Sequence, residues 1–226
     1  MKQTIKILNL YACLGGNRYK WDEVAEKADV SLDITAIELD EELAKLYQKR
    51  FLGDKVIVAD AHEYLRNNFK NFDFIWSSPP CPSHSKIRIS QQNREGFEFI
   101  YPEMSLYQEI IFLQNFFKGS YVIENVNPYY TPLIPAQKRG RHLFWSDLKL
   151  PYDLNERKSP LIEKGSINEL SKFHDFDFTK YKGKQRRNKI ARNLVDYEVG
   201  RTILEVFLNV YQEKKRERIK DQILLF

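Results

Sequence analysis

Cysteine is scarce in this chain. Only Cys13 and Cys81 occur among 226 residues, together with four scattered histidines. So few cysteines exclude a disulfide-stapled scaffold. Their spacing fits no zinc motif, and no metal site is expected. Long apolar runs are lacking too. The start, MKQTIKILNLYACLGG, has neither the apolar stretch nor the cleavage pattern of a signal peptide. No segment reaches the length of a membrane span. The expectation is a cytoplasmic protein with no membrane partner. G-x-G-x-x-G turns and P-loops are missing, which excludes the commonest nucleotide fingerprints. There are no internal repeats and no low-complexity linker.

What is present is a 42% hydrophobic composition, enough for one sizeable core with a small appended lobe. The formal net charge of +5 gives a mild bias towards a polyanionic partner such as nucleic acid. The first two thirds alternate short β-like runs with helical stretches. Strands are expected at residues 4–12, 32–40, 55–60, 72–78 and 120–126. The stretch CLGGNRYKW is expected to be a glycine turn feeding a helix, and further helices follow strands two and four. Strands alternating with helices at this spacing predict an α/β fold with a doubly wound, mostly parallel sheet. Polar residues collect where those strands end: Gly15, Glu38, Asp60, Cys81 and Glu124. In open α/β sheets that edge binds ligands. The pattern fades over residues 148–188. Helical periodicity then returns and ends in a charged tail.

Each of these residues has a functional and a plain reading. Gly15 and Gly16 suit a ligand lying against backbone amides, or simply a tight turn. Glu38 can accept hydrogen bonds from two ribose hydroxyls, or favour the following helix by its charge. Asp60 can accept from an adenine amine, or cap a helix. Cys81 lies between prolines that stiffen the chain. Near a helix start or arginines it would be a thiolate of lowered pKa; otherwise it is a small buried residue. Glu124, flanked by Ile123 and Val126, can hold a raised pKa and donate a proton. Gln137, Arg139 and Arg141 alternate in PAQKRGRHLFW. On one extended segment they would share a face that clamps a phosphate or a carbonyl.

The order of these pieces resembles the cytosine-carbon-5 DNA methyltransferases, over residues 9–145 and again over residues 192–208. There NLVDYEVGRTIL is similar to that family's closing motif. The resemblance implies an S-adenosylmethionine-dependent, Rossmann-like methyltransferase fold with a much reduced target-recognition insertion. The expected units are residues 1–147 for catalysis and cofactor, 148–188 for the insertion, and 189–226 for a helical segment packing back. It implies S-adenosylmethionine held by Tyr11, Gly15, Gly16, Glu38, Asp60, Asn193 and Val195. It further implies Cys81 as the nucleophile that adds to carbon 6 of a flipped-out cytosine, and Glu124 as its partner at N3 and the exocyclic amine. Arg139 and Arg141 steady the base carbonyl or the neighbouring loop, and Pro80, Asn125 and Gln137 line the substrate side. The implied partner is DNA, bound by a monomer. An RNA cytosine substrate and a catalytically impaired binding relative are the alternatives.

The chain departs from that family in places. Cys13 stands where a glycine is usual and can crowd the cofactor. Pro82 follows Cys81 where glutamine is common, though short phage-type members carry other residues there. Asp196 lies near the usual proline. The insertion is small, and its KYKGKQRRNK run holds six basic residues and no acid. It can follow a phosphate backbone but offers little surface for base readout. The alternative is a mobile surface loop. Relaxed sequence specificity, or a specificity partner protein, is the expectation.

Overall fold

The computed structural model describes residues 2–158, 160 and 166–223, with side chains to residue 217. Parts of the expected insertion (159 and 161–165) and of the expected tail (224–226) lie outside the described residues. Seven strands make one sheet in the order β3-β2-β1-β4-β5-β7-β6. Strand β1 (Gln3–Leu10) pairs in parallel with β2 (Val30–Glu38) and β4 (Phe74–Ser77). Outside these, β3 (Lys55–Val58) and β5 (Ser120–Val126) continue the parallel pattern. An antiparallel hairpin, β6 (Gln137–Arg139) and β7 (His142–Ser146), closes the far edge against β5. Strand order reverses between β1 and β4, the place where doubly wound sheets open a crevice.

Side-chain alternation along each strand builds two cores. Ile5, Ile7, Phe74, Trp76 and Val122 face α1 (Trp21–Lys27) and the long α8 (Tyr197–Ile223). Phe74 stacks on Phe207 of α8 at 4.5 Å between ring centroids. Burying each such side chain contributes roughly 1.5–3 kcal/mol. The opposite set, Leu8, Leu10, Ile75 and Ile123, meets α3 (Ala61–Asn68) and α5 (Ser105–Phe116). Helix α2 (Glu41–Arg50) follows β2, and a short α4 (Lys86–Ile89) follows the Pro-Cys segment.

Three local expectations gain detail. The glycine turn feeds its helix through successive turns over residues 11–20, and α1 starts at Trp21. The chain reverses at Gly140 and Arg141, so Gln137, Arg139 and Arg141 do not share one extended face. Arg139 pairs with His142 across a two-residue connection, and Gly140 adopts φ 52°. Glycine supplies the positive φ such a connection needs first. Lastly, the polar stretch is anchored. Its helices α6 (Ile167–His174) and α7 (Arg187–Asn193) bury Leu170, Ile190 and Ala191, together with Phe178 and Tyr181, against Leu14 and Leu43. A free surface loop would leave those side chains in water.

Candidate functional site

The C-terminal ends of β1, β2, β4 and β5 open onto a cleft of about 600 Å³. Small-molecule sites run ~300–1,000 Å³. Of the residues expected at the site, Tyr11, Gly16, Glu38, Asp60, Pro80, Cys81, Glu124, Asn125, Arg141, Asn193 and Val195 line it. Gly15, Gln137 and Arg139 are not among the lining residues.

The first turn is strained. Tyr11 and Cys13 both hold positive φ, 55° and 49°, a conformation that costs non-glycine residues roughly 1–3 kcal/mol each. Glu38 helps hold it. Its Oε2 accepts from the Cys13 backbone N–H at 2.8 Å, and its Oε1 from the Asp40 N–H at 2.9 Å. Burial pushes the Glu38 carboxyl up, against those two N–H groups, and the net direction is upward. Each oxygen keeps acceptor capacity for a hydroxyl. Burial, and then the Glu38 charge, also push the Cys13 thiol up, which leaves it an inert side chain on the wall. The glycines divide their work. A Cβ on Gly15 would collide with the Phe51 ring, so that residue serves packing. A Cβ on Gly16 would collide with the Val195 carbonyl, so the last motif closes directly onto the turn. Asp60 caps α3 through Oδ1, at 2.8 Å from the Glu63 N–H, while lining the cleft.

One residue escapes sequence reasoning. Glu109 of α5 has a fully buried carboxylate that accepts from the Tyr11 hydroxyl at 2.6 Å and the Ser77 hydroxyl at 2.7 Å. His62 Nδ1 lies 3.2 Å away. Glu109 thus ties the first turn to the strand end that leads to Cys81. Its hydrogen bond pushes His62 up, and burial followed by its charge pushes the Tyr11 hydroxyl up. The available signal was a lone acid in the apolar run SLYQEIIFL.

Cys81 follows a loop braced from below. Asn125 is buried and donates through Nδ2 to the Pro79 carbonyl at 3.0 Å. Its side chain holds the loop, while its place on the cleft wall remains. The Cys81 carbonyl accepts from the His84 and Ser85 N–H groups. The thiol is half-buried. Burial, and then the Glu124 charge, push it up; Lys189 of α7 pulls it down, and the net direction is upward. The expected lowering by arginines or a helix start is therefore not found: α4 begins only at Lys86 and is one turn long. Glu124 lies on β5 opposite Phe144, and His142 Nε2 stands 3.6 Å from its Oε1.

Gln137 and Arg139 are spent on backbone. Gln137 donates to the Leu148 carbonyl at 2.7 Å and accepts from the Leu150 N–H at 2.9 Å. Arg139 donates to the carbonyls of Lys138, Leu150 and Pro151. Both fasten the chain that leaves the sheet.

That chain returns as the cleft's second wall, whose anchors are side-chain pairs. Arg157 donates to Asp196 through Nε at 3.0 Å and through its backbone N–H at 2.8 Å. Its guanidinium lies between the rings of Phe173 and Tyr197, at 3.9 and 3.5 Å from their centroids. Asp196, the departure noted in the last motif, is thus the partner that pins the insertion. Asp40 caps α2 through Oδ1, and its Oδ2 accepts from the Tyr181 hydroxyl and the Gln185 amide, both at 2.9 Å. Burial pulls Asp40 up, but these hydrogen bonds outweigh it and the carboxyl moves down.

Comparison with known proteins follows the same lines. A family profile described as C-5 cytosine-specific DNA methylase matches residues 5–130. No curated protein sequence matches the chain. Among solved structures, the methyltransferase EhMeth of Entamoeba histolytica aligns with a TM-score of 0.53 and 11% identity, over 93% of this chain and 99% of that one. It shows the methyltransferase fold. A DNMT2 mutant of Spodoptera frugiperda aligns at 20% identity and a TM-score of 0.38, over 54% of this chain. That match spans only 35% of the Spodoptera protein's own length. Among the described residues, no helix is long and apolar enough to cross a membrane.

Proposed function

Since the chain belongs to the C-5 cytosine-specific DNA methylase family, we propose that it transfers a methyl group from S-adenosylmethionine to carbon 5 of a cytosine in DNA. The observation that carries this reading is one cleft lined by Cys81, Glu124, Glu38, Asp60 and the strained first turn. A nucleophile, a proton donor and a nucleoside-type acceptor pair face the same space.

The residues fit the cofactor. Glu38 holds acceptor capacity for ribose hydroxyls, and Asp60 lies on the same wall for an adenine amine. Gly16, Asn193 and Val195 close the turn beside Tyr11. S-adenosylmethionine, when bound, supplies the electrophilic methyl on its sulfonium. The chain's own groups prepare the acceptor. Cys81 gives its thiol proton to water, and its sulfur forms a bond to carbon 6 of the cytosine. Glu124 donates a hydrogen bond at N3, which stabilises the charge that develops on the ring. Carbon 5 thereby becomes nucleophilic and is the methyl acceptor. It then gives its proton to water, the electron pair left behind restores the carbon 5–carbon 6 double bond, and Cys81 leaves carbon 6 as thiolate. Burial and the Glu124 charge disfavour the thiolate in the free protein, and the Lys189 charge on the second wall opposes them.

The base reaches the cleft by leaving the stack, because neither ring carbon is accessible within a duplex. Arg141, Lys189 and Arg192 line the mouth and can meet phosphates. With its insertion packed on α2, the chain keeps little surface for reading bases, so relaxed sequence specificity follows.

The test uses DNA incubated with a cofactor carrying a labelled methyl group, digested to nucleosides and separated against standards. Label in 5-methylcytosine supports the reading. Label in N4-methylcytosine or N6-methyladenine overturns it, as does no label with any duplex or single strand offered.

A further inference from the structure

His142 is a titratable group in the cleft that the chemistry above does not use. Its place is set by register. Strand β7 runs antiparallel to β5, with Phe144 opposite Glu124 and His142 opposite Val126. Glu124 and His142 are therefore diagonal neighbours on one face of the sheet. The Phe144 ring stands edge-on to the imidazole at 6.5 Å. Nε2 lies 3.6 Å from Glu124 Oε1, and Nδ1 lies 3.8 Å from Glu156 Oε1. Arg141 Nε is 3.6 Å from that same Glu156 oxygen. All four residues line the cleft.

Their exposure falls in one direction. Side-chain exposure is 51% at Arg141, 28% at Glu156, 22% at His142 and 12% at Glu124. The series runs from water to the carboxylate proposed to act on the base, and His142 is the link between its two carboxylates. Imidazole is the side chain that ordinarily gains and loses a proton between about pH 5 and 8.

We propose that His142 is a positioning residue that loads Glu124 with the proton used at cytosine N3, and that Glu156 orients the imidazole for this task. The inference rests on the cytosine reading of the cleft. The protons balance. The Nε2–H bond of the imidazolium breaks and an O–H bond forms on Glu124, which then serves N3 while Cys81 adds to carbon 6. Imidazole regains a proton from water at the exposed end beside Glu156 and Arg141. When Cys81 leaves, N3 returns its proton to Glu124, and the route runs backwards. A separation of 3.6 Å is beyond hydrogen-bond reach, and catalytic contacts of this length tighten when substrate binds. The charged groups facing the imidazole are Glu124 from β5, Glu156 from the chain after β7, and Arg141 from the hairpin turn.

The experiment measures kcat and KM across pH for the wild-type protein, His142→Gln and Glu156→Gln, on cytosine-containing DNA. His142→Gln should lower kcat by at least about tenfold with KM for DNA and cofactor within about twofold. It should also erase the pH limb in the histidine range. Glu156→Gln, which keeps the imidazole, should displace that limb without erasing it. Added imidazole should restore turnover to His142→Ala. Unchanged kcat and pH profile in His142→Gln would overturn the proposal, and so would a loss that leaves the limb in place and resists imidazole rescue. A wild-type protein that methylates no cytosine would instead bring down the underlying reading, so the two failures are distinguishable.

Discussion

The two walls of the cleft are built in different ways. The sheet-edge wall places Glu38 at the end of β2, Glu124 near the end of β5, and Cys81 on the braced loop that follows β4. The opposite wall places Arg157 and Gln185 by side-chain pairs that cross long sequence separations. Arg157 meets Asp196 across 39 positions, and Gln185 meets Asp40 across 145. The sheet-edge wall is held by the fold itself. The other adds a few polar contacts to a buried apolar cluster, and those polar contacts can be titrated or mutated away. Chemistry should therefore be sensitive to substitutions on the first wall, and closure to substitutions on the second.

The largest effect should come from the first wall. Cys81→Ala should cut methyl transfer by roughly 10⁴-fold or more, in the manner of lost nucleophiles elsewhere, while leaving the thermal midpoint unchanged. A melting curve beside a turnover assay checks both halves. Next comes the anchor of the second wall. Arg157→Ala removes the partner of Asp196, a buried acid, and should cost about 2–3 kcal/mol of stability. Urea denaturation measures it. Equal losses of activity and stability in both variants would erase the contrast between the walls.

A pH prediction follows from His174, which is buried in the second wall. Burial, and then the neighbouring Arg157 charge, push it down to about 4. A histidine lowered on folding binds its proton more readily in the unfolded chain. Stability is thus complete above the ordinary value near 6.5 and is lost as pH falls from there towards 4. The loss should be on the order of 3 kcal/mol. His174→Gln should flatten the denaturation curves over that window, and an unchanged slope would refute the assignment. The smallest effect is expected at the first turn. Tyr11→Phe removes only the hydroxyl bonded to Glu109, at a cost of about 1 kcal/mol. Calorimetric titration with S-adenosylmethionine should show correspondingly weaker binding.

The contrast between walls also explains what the sequence discloses. Buried parallel strands read as short continuous apolar runs, and the acids that end them stand out. Glu38, Asp60, Cys81 and Glu124 were legible for that reason. Gln137 and Arg139 do alternate on β6, but the alternation was extended through Gly140 to Arg141, where the backbone reverses. Glu109 went unseen because its partners, Tyr11 and Ser77, lie 98 and 32 positions away. No local period displays such a contact. The polar stretch after residue 148 looked shapeless for the same reason. Its aromatic residues Phe178 and Tyr181 are buried against α2, which belongs to a distant part of the chain.

The central claim is that Cys81 bonds to cytosine. DNA carrying 5-fluorocytosine tests it, because fluorine on carbon 5 blocks the proton loss that releases the enzyme. Wild-type protein incubated with that DNA and S-adenosylmethionine should yield a covalent complex, and peptide mass spectrometry should map the attached nucleotide to Cys81. Its absence while ordinary cytosine is methylated, or attachment at Cys13, would contradict the account.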